Sequence, residues 1–411
     1  MTSPIAQPVT LKSGLVLPNR VAKAAMAENL ADKDLLPTDK IFSAYKTWAD
    51  GGWGLVITGN VQVDPRHLGQ AGDIANNDAI DRTRILDSWK KWASICRAGG
   101  TPTVVQISHP GRQSPAGAGT RGIFEKTLAP SPIPLRLGKG LFAALVSRLL
   151  FGTPKTMTVQ EILDVQNRFV DTAVLAADAG FDGIELHGAH GYLLSQFLSA
   201  STNQRVDEYG GTAVARAKIV VDIIKAIRLA VPSGFTVGIK FNSVDHQSSS
   251  ALEDCVEQLR LISEAGIDFL EISGGSYEEP IGIEDPEKIK RVKKPSTSAR
   301  EAFFLDFAAA IRHHFPGLPL VVTGGFRSRR VIESALTGGA LDIVGLARPA
   351  VLNPSAPSNT LLDMSKKADE ARATAISIET PWLLKKFGNY VIGAGYETAW
   401  YVKKIGTLGS A

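Results

Sequence analysis

Phe181-Asp-Gly-Ile-Glu-Leu-His187-Gly-Ala-His190-Gly-Tyr192-Leu-Leu-Ser-Gln-Phe-Leu198 is the stretch on which the reading of this chain turns. It opens as a short apolar run after a glycine, the pattern of a strand buried on both faces. It stops in two histidines three residues apart, with a tyrosine two residues further on. Two imidazoles and a phenol at a strand end can hold a carbonyl oxygen and pass a proton to the atom beside it. Downstream, Asn203, Arg205, Asp207, Tyr209, Gly210 and Gly211 read as structural, an Arg–Asp pair and a Gly-Gly turn fixing the loop into the next helix.

A buried parallel strand needs neighbours of its own kind. Apolar runs bounded by Gly or Pro occur at 20–25, 54–58, 103–107, 182–186, 236–240, 269–272, 320–323 and 342–345. Helix-period segments lie between them, at about 37–50, 80–98, 158–179, 213–230, 251–265, 300–314 and 328–338. Gly180, Gly266 and Gly338 stand where helices end. Eight strands alternating with helices predict an α/β fold, a (β/α)8 TIM barrel. The rival, a doubly wound sheet, lacks a G-x-G-x-x-G opening a helix after the first strand.

The barrel is expected to be a single domain over residues 1–355. Residues 110–157 form a long insertion after the third strand, and its 135–151 stretch is basic and apolar. A lid over the barrel mouth is the expectation there, because long βα insertions sit at the active-site face; a helix lying on a membrane surface is the alternative. Residues 356–411 read as a helical C-terminal extension. Its Trp382, Phe387, Tyr390, Tyr396, Trp400 and Tyr401 suggest packing on the barrel or on another subunit.

A net charge of +4 over 411 residues gives no case for nucleic acid. Cys96 and Cys255 read as reduced core or helix residues, too few for a cubane iron–sulfur cluster. No signal peptide, peroxisomal address or spanning apolar run is visible, so the expected location is the cytoplasm.

Val321-Val-Thr-Gly324-Gly325-Phe326 and Ile343-Val-Gly345-Leu-Ala347-Arg348-Pro end the seventh and eighth strands, where barrels bind phosphate. Glycines let backbone N–H groups approach the oxygens, and an arginine adds a bidentate charge. His187 and His190 could also be metal ligands, but no third ligand is evident in the motif, and no metal is expected. Gln106 near the end of the third strand needs a partner, which a heterocycle edge supplies. Lys240 at the end of the fifth strand fits either a Schiff-base nucleophile or a cation beside an anionic ring.

From about residue 5 to residue 355 the chain resembles the old yellow enzyme family, NAD(P)H-dependent ene-reductases that carry FMN. The resemblance is carried by Leu17-Pro-Asn-Arg20, the Thr58-Gly59 strand end, the Gln106 to Arg112 stretch, the His187 to Gly211 stretch, Lys240 and both phosphate turns. Its histidine pair and Pro-Gly-Arg turn look closer to the bacterial-type branch. The resemblance implies that Met26, Ala27 and Gly59 line the flavin and that Gln106 bonds its pyrimidine edge. It puts Lys240 near N1 and O2, and Gly325, Phe326, Ala347 and Arg348 on the phosphate. His187 and His190 would hold the substrate's carbonyl oxygen, and Tyr192 would donate the proton. Ala27 departs from the pattern, since members usually place Thr or Cys there to bond flavin O4.

The implied function is an FMN-dependent NAD(P)H oxidoreductase that reduces the C=C bond of α,β-unsaturated carbonyl compounds by ping-pong hydride transfer, with NADPH or NADH as donor. The alternatives are a flavin isomerase or quinone or nitro reductase on the same scaffold, a Schiff-base aldolase using Lys240, and a non-catalytic flavin-binding protein. The expected partner is a small-molecule enone, with no nucleic acid and no membrane; a homo-oligomer is left open.

Overall fold

The computed structural model describes residues 3–122, 124–137, 141–242, 249–273, 297–378 and 390–409. Eight strands make up the barrel: β1 (Val21–Lys23), β2 (Leu55–Ile57), β3 (Thr103–Ser108), β4 (Gly183–Gly188), β5 (Thr236–Asn242), β6 (Phe269–Ser273), β7 (Leu320–Thr323) and β8 (Ile343–Leu346). Each pairs in parallel with the next. The Val344–Val21 register joins β8 to β1 and closes the ring. All eight lie within or beside the runs read from the sequence.

Side chains alternate across each strand, so every second residue points into the barrel. The lower interior is an apolar plug of Ala22, Leu55, Ile57, Val104, Phe269, Val321 and Ile343. Leu11 and Leu17 close it from below, carried by an antiparallel hairpin (Val9–Thr10 with Val16–Leu17) that sequence reading missed. Gly238 is a fixed part of this packing. A Cβ there would lie 2.1 Å from the Phe269 ring, so the glycine makes room for the phenylalanine.

The barrel helices are α1 (Asp39–Ala49), α2 (Arg82–Ala98), α3 (Val159–Ala179), α4 (Ala213–Ala230), α5 (Ser249–Glu264), α6 (Thr297–His314), α7 (Arg329–Thr337) and the short α8 (Arg348–Leu352). Local chemistry sets their ends. Thr158 and Glu161 form a capping box on α3, and Asp81, Thr212 and Ser328 cap α2, α4 and α7. Gly180 (φ 90°) and Gly266 (φ 109°) end α3 and α5 in the left-handed region, as read. At α7 the left-handed position is Gly339 (φ 72°), one residue beyond the Gly338 expected.

The insertion after β3 holds a 3-10 turn (Gly111–Gln113) and a helix (Leu141–Phe151). That helix turns Leu145, Leu149 and Leu150 to solvent. The C-terminal helix (Tyr390–Ile405) packs on α8, with Tyr401 and Ile405 buried. Trp382 and Phe387 lie outside the described residues. Among the described residues no helix is long and apolar enough to cross a membrane.

Candidate active site

β4 delivers Glu185 and His187 to the same face, two residues apart. Beyond it the chain turns sharply at His190 (φ 58°) and Gly191 (φ 73°). A non-glycine residue in the left-handed region carries strain and persists only where its surroundings enforce it. Here Gln113 Nε2 donates to the His190 carbonyl (2.8 Å) and Gln196 Nε2 to the Gly191 carbonyl (2.7 Å). The turn brings three rings together. The centroids of His187 and His190 lie 5.0 Å apart, and those of His187 and Tyr192 4.5 Å. Tyr192 caps the short helix Leu193–Leu198 and is 7% exposed.

Hydrogen bonds set the tautomers. The Ala189 N–H donates to His187 Nδ1 (3.3 Å), so His187 carries its hydrogen on Nε2. That Nε2 stands 3.3 Å from His190 Nδ1, and His190 Nε2 stands 3.1 Å from Ser273 Oγ. The result is a relay of N–H groups ending at β6. Burial, the neighbouring His190 and Lys240 hold His187 well below the usual imidazole range. Burial and Lys240 push His190 down to about 3. Both rings are therefore neutral donors at physiological pH.

Beneath the histidines lies a polar layer made by β3, β4, β5 and β6. Gln106 Nε2 donates to Glu185 Oε2 (2.6 Å), and Lys240 Nζ stands 3.0 Å from Glu271 Oε1. Two carboxyls share one ammonium in a dry interior. Burial and the adjacent Glu271 raise Glu185 well above its usual range, so it is protonated. Burial opposes charge on Lys240 and Glu271, but their mutual attraction outweighs it. Lys240 is raised, Glu271 lowered, and both are ionised. Gln106 finds in Glu185 a partner the sequence reading did not name. Its Oε1 remains buried and unpaired, an acceptor waiting for a donor.

On the other side of the barrel, the Gly59 N–H is shared by Glu28 Oε1 (3.1 Å) and Tyr45 Oη (2.9 Å). A Cβ at Gly59 would lie 2.4 Å from the Met26 carbonyl, so the ends of β1 and β2 touch through a glycine. Met26 and Ala27 stand half-buried beside it. Lys23 is enclosed below, donating to the Ile57 carbonyl (2.9 Å) and lying 4.3 Å over the Trp48 ring. Burial lowers it to about 8, against the pull of Glu28.

After β7, Gly324 (φ 153°) and Gly325 (φ 81°) make the expected turn, and the Phe326 side chain is buried. After β8, Ala347 caps α8, and Arg348, half-buried, pairs with Glu397 of the C-terminal helix at 3.1 Å. Arg205 and Asp207 form the structural pair read from sequence, and Arg205 also donates to the Met157 carbonyl.

The fit to a flavin mononucleotide is chemical. An unpaired amide oxygen suits a ring imide N–H, and a buried ammonium suits an electron-rich ring edge. A glycine turn with an arginine suits a phosphate. One Asp/His group among the described residues has metal-ligand proximity: Asp64, His67 and His109. Its hydrogen bonds leave His67 Nε2 as the one ring nitrogen of the group with an unengaged lone pair. The Gly111 N–H occupies His109 Nδ1 (3.0 Å), leaving the hydrogen on Nε2, and His67 Nδ1 is engaged by Asp64 (2.9 Å).

A model of the NADH:flavin oxidoreductase / NADH oxidase family matches residues 4–363. The chain belongs to that family. It is therefore a flavin-dependent oxidoreductase, with FMN and a nicotinamide nucleotide as cofactors. It is 47% identical over 407 residues to the NADH-dependent flavin oxidoreductase iccE of Talaromyces variabilis, covering 98% of both chains. It is 50% identical over 390 residues to the NADH-dependent flavin oxidoreductase iliE of Neonectria sp. (strain DH2), covering 93% of this chain but 51% of that protein. The chain thus spans about half the length of the Neonectria relative. Among solved structures, the old yellow enzyme homologue from Zymomonas mobilis aligns with a TM-score of 0.69 at 20% identity, over 89% of this chain and 94% of that one.

The sequence reading passed over four residues that the structure places against the side chains it named. Glu185 and Glu271 were hidden inside runs read only as apolar, although a period of two places both inward. Ser273 lies one residue past the 269–272 run and was not singled out. Asn60, next to Gly59, places its Nδ2 3.1 Å from Tyr192 Oη. A polar residue just past a strand-end glycine was the available signal.

Proposed function

We propose that the chain reduces the C=C bond of α,β-unsaturated carbonyl compounds, with NADH or NADPH as the electron source. The observation carrying this reading is the meeting of His187, His190 and Tyr192 above the Gln106–Glu185 layer. FMN, when bound, supplies the hydride it has taken from the nicotinamide. Gln106, Lys240, Met26, Ala27 and Gly59 would hold its ring system, and Gly325, Phe326, Ala347 and Arg348 its phosphate.

The protein's own part is to hold the substrate oxygen and deliver a proton. An entering carbonyl oxygen takes over the N–H that His187 lends to His190 and the one that His190 lends to Ser273. Because both imidazoles are neutral, they stabilise the developing enolate as preorganised dipoles and do not protonate it. Protonation falls to Tyr192, whose O–H bond breaks as the C–H bond at Cα forms.

A Schiff-base role for Lys240 is disfavoured by its buried ion pair with Glu271, which keeps the amine protonated and without a lone pair.

The test is an anaerobic visible spectrum followed through NADH addition and then excess 2-cyclohexenone. Bleaching followed by recovery of the flavin band supports the reading. Bleaching without recovery rejects the enone and redirects the search to other acceptors.

A further inference from the structure

The geometry points to Asn60 as the residue that positions Tyr192 for proton delivery. This inference rests on the proposed function, because it gives Tyr192 a task that only carbon protonation requires. Asn60 is half-buried, directly follows Gly59, and places its Nδ2 3.1 Å from the Tyr192 hydroxyl oxygen.

The support around Asn60 is rigid. Val61 and Gln62, the next two residues, pair in parallel with Ile107 and Ser108 of β3. Gln62 accepts from the Ser108 hydroxyl (2.9 Å) and donates to Asp73 Oδ2 (2.8 Å). The same Asp73 oxygen collects the N–H groups of Gly69 (3.0 Å) and Gln70 (3.2 Å), folding the loop back. A Cβ at Gly69 would lie 3.4 Å from the Tyr192 hydroxyl, so that loop also borders the phenol. From the other side, the His187 ring is 4.5 Å from the Tyr192 ring. The phenol oxygen is located by two independently anchored segments.

The donor direction gives the contact its meaning. An amide N–H cannot accept the phenolic hydrogen, so that hydrogen is directed away from Asn60. When Tyr192 gives its proton to Cα, the electron pair of the O–H bond stays on oxygen as phenolate, which solvent later reprotonates. The Asn60 N–H then faces an anion, and the hydrogen bond becomes charge-assisted and stronger. A phenol, with an ordinary pKa near ~10, is a reluctant acid, and this is the kind of help it needs.

The experiment measures both half-reactions by stopped flow in Asn60→Ala, Asn60→Asp, Tyr192→Phe and the Asn60→Ala/Tyr192→Phe double variant. FMN affinity and reoxidation by ferricyanide, which puts no proton on carbon, serve as controls. Asn60→Ala should slow reoxidation by 2-cyclohexenone roughly tenfold, the scale of one hydrogen bond to a developing charge. Flavin reduction by NADH, ferricyanide reoxidation and FMN affinity should stay close to those of the unaltered protein. Asn60→Asp, which puts an acceptor against the hydroxyl, should be slower still. In the Tyr192→Phe background Asn60→Ala should cost nothing further.

An unchanged or faster enone step in Asn60→Ala would overturn the inference, as would the same further loss when Tyr192 is already Phe. If Tyr192→Phe alone leaves the enone step untouched, the proton-donor reading falls and this inference falls with it. If Tyr192→Phe slows that step and Asn60→Ala does not, only the inference about Asn60 fails.

Discussion

His187 Nε2 and His190 Nδ1 face each other at 3.3 Å, so the two rings hold one another in the N–H arrangement a substrate oxygen would use. Removing either ring deletes a donor and frees the other to turn. His187→Ala and His190→Ala should each slow the enone half-reaction by about 10²–10³-fold, the usual cost of one oxyanion donor. Flavin reduction by NADH should be nearly intact, as stopped-flow absorbance would show. Equal losses in both half-reactions would place these histidines on the nicotinamide instead.

The polar layer makes two glutamates unequal. Glu185 is held protonated and already behaves as a neutral hydrogen-bonding group. Glu185→Gln should therefore leave urea stability and FMN affinity nearly unchanged. Glu271 is the charge that balances Lys240. Glu271→Gln strands a buried cation, at a cost of about 3–5 kcal/mol. Equal effects of the two substitutions on the urea midpoint would contradict this division of charge.

Buried imidazoles govern the response to acid. His190 and His109 are each lowered to about 3, mainly by burial, and His187 lies well below its ordinary value. A folded-state value below the unfolded one, near ~6.5, gives stability that is complete above that pH and drains away as the pH falls toward about 3. At pH 5 each such ring costs about 2 kcal/mol relative to pH 7. Asp73, raised to about 6 by burial, works the other way: its contribution is whole below its ordinary 3.8 and lost as the pH climbs through about 6. Glu185, Glu28 and Asp182, also raised by burial, act in the same direction as Asp73. The expected outcome is that the three rings outweigh these carboxyls, so the urea midpoint falls between pH 7 and pH 5. His109→Asn, which keeps an acceptor for the Gly111 N–H, should make that fall shallower. A midpoint that rises over this interval would show the raised carboxyls dominating.

The barrel was legible because each of its strands is a short apolar run and most of its helices have a cap or a closing glycine. Thr158 with Glu161 and Gly180 bound α3 within a residue of the reading. The hairpin below the barrel was not, since Val9–Thr10 and Val16–Leu17 are two-residue pairs with no period to detect. At the site, His187, His190 and Tyr192 could be found together because they are adjacent in sequence. The partners that tune them come from elsewhere: Ser273 lies 83 residues from His190, and Asn60 lies 132 from Tyr192. Only folding the chain brings them together. Gln106 was flagged as needing a partner, but no property of its own segment named Glu185, 79 residues away.

Arg348 connects the proposed phosphate turn to the C-terminal helix through Glu397 at 3.1 Å. If the guanidinium also serves the FMN phosphate, it sits between two anions and each affects its availability. Arg348→Leu should weaken FMN binding by roughly 10–100-fold, the value of a charge-assisted bidentate contact. Raising the salt concentration should weaken binding to the unaltered protein more than to this variant. Glu397→Gln keeps a polar partner and removes the competing charge, so FMN should bind as tightly as before or more tightly. Fluorescence titration of the apoprotein with FMN reads all three. Loss of affinity in Glu397→Gln comparable to that in Arg348→Leu would mean that the ion pair positions the arginine and that the carboxylate does not compete with the phosphate.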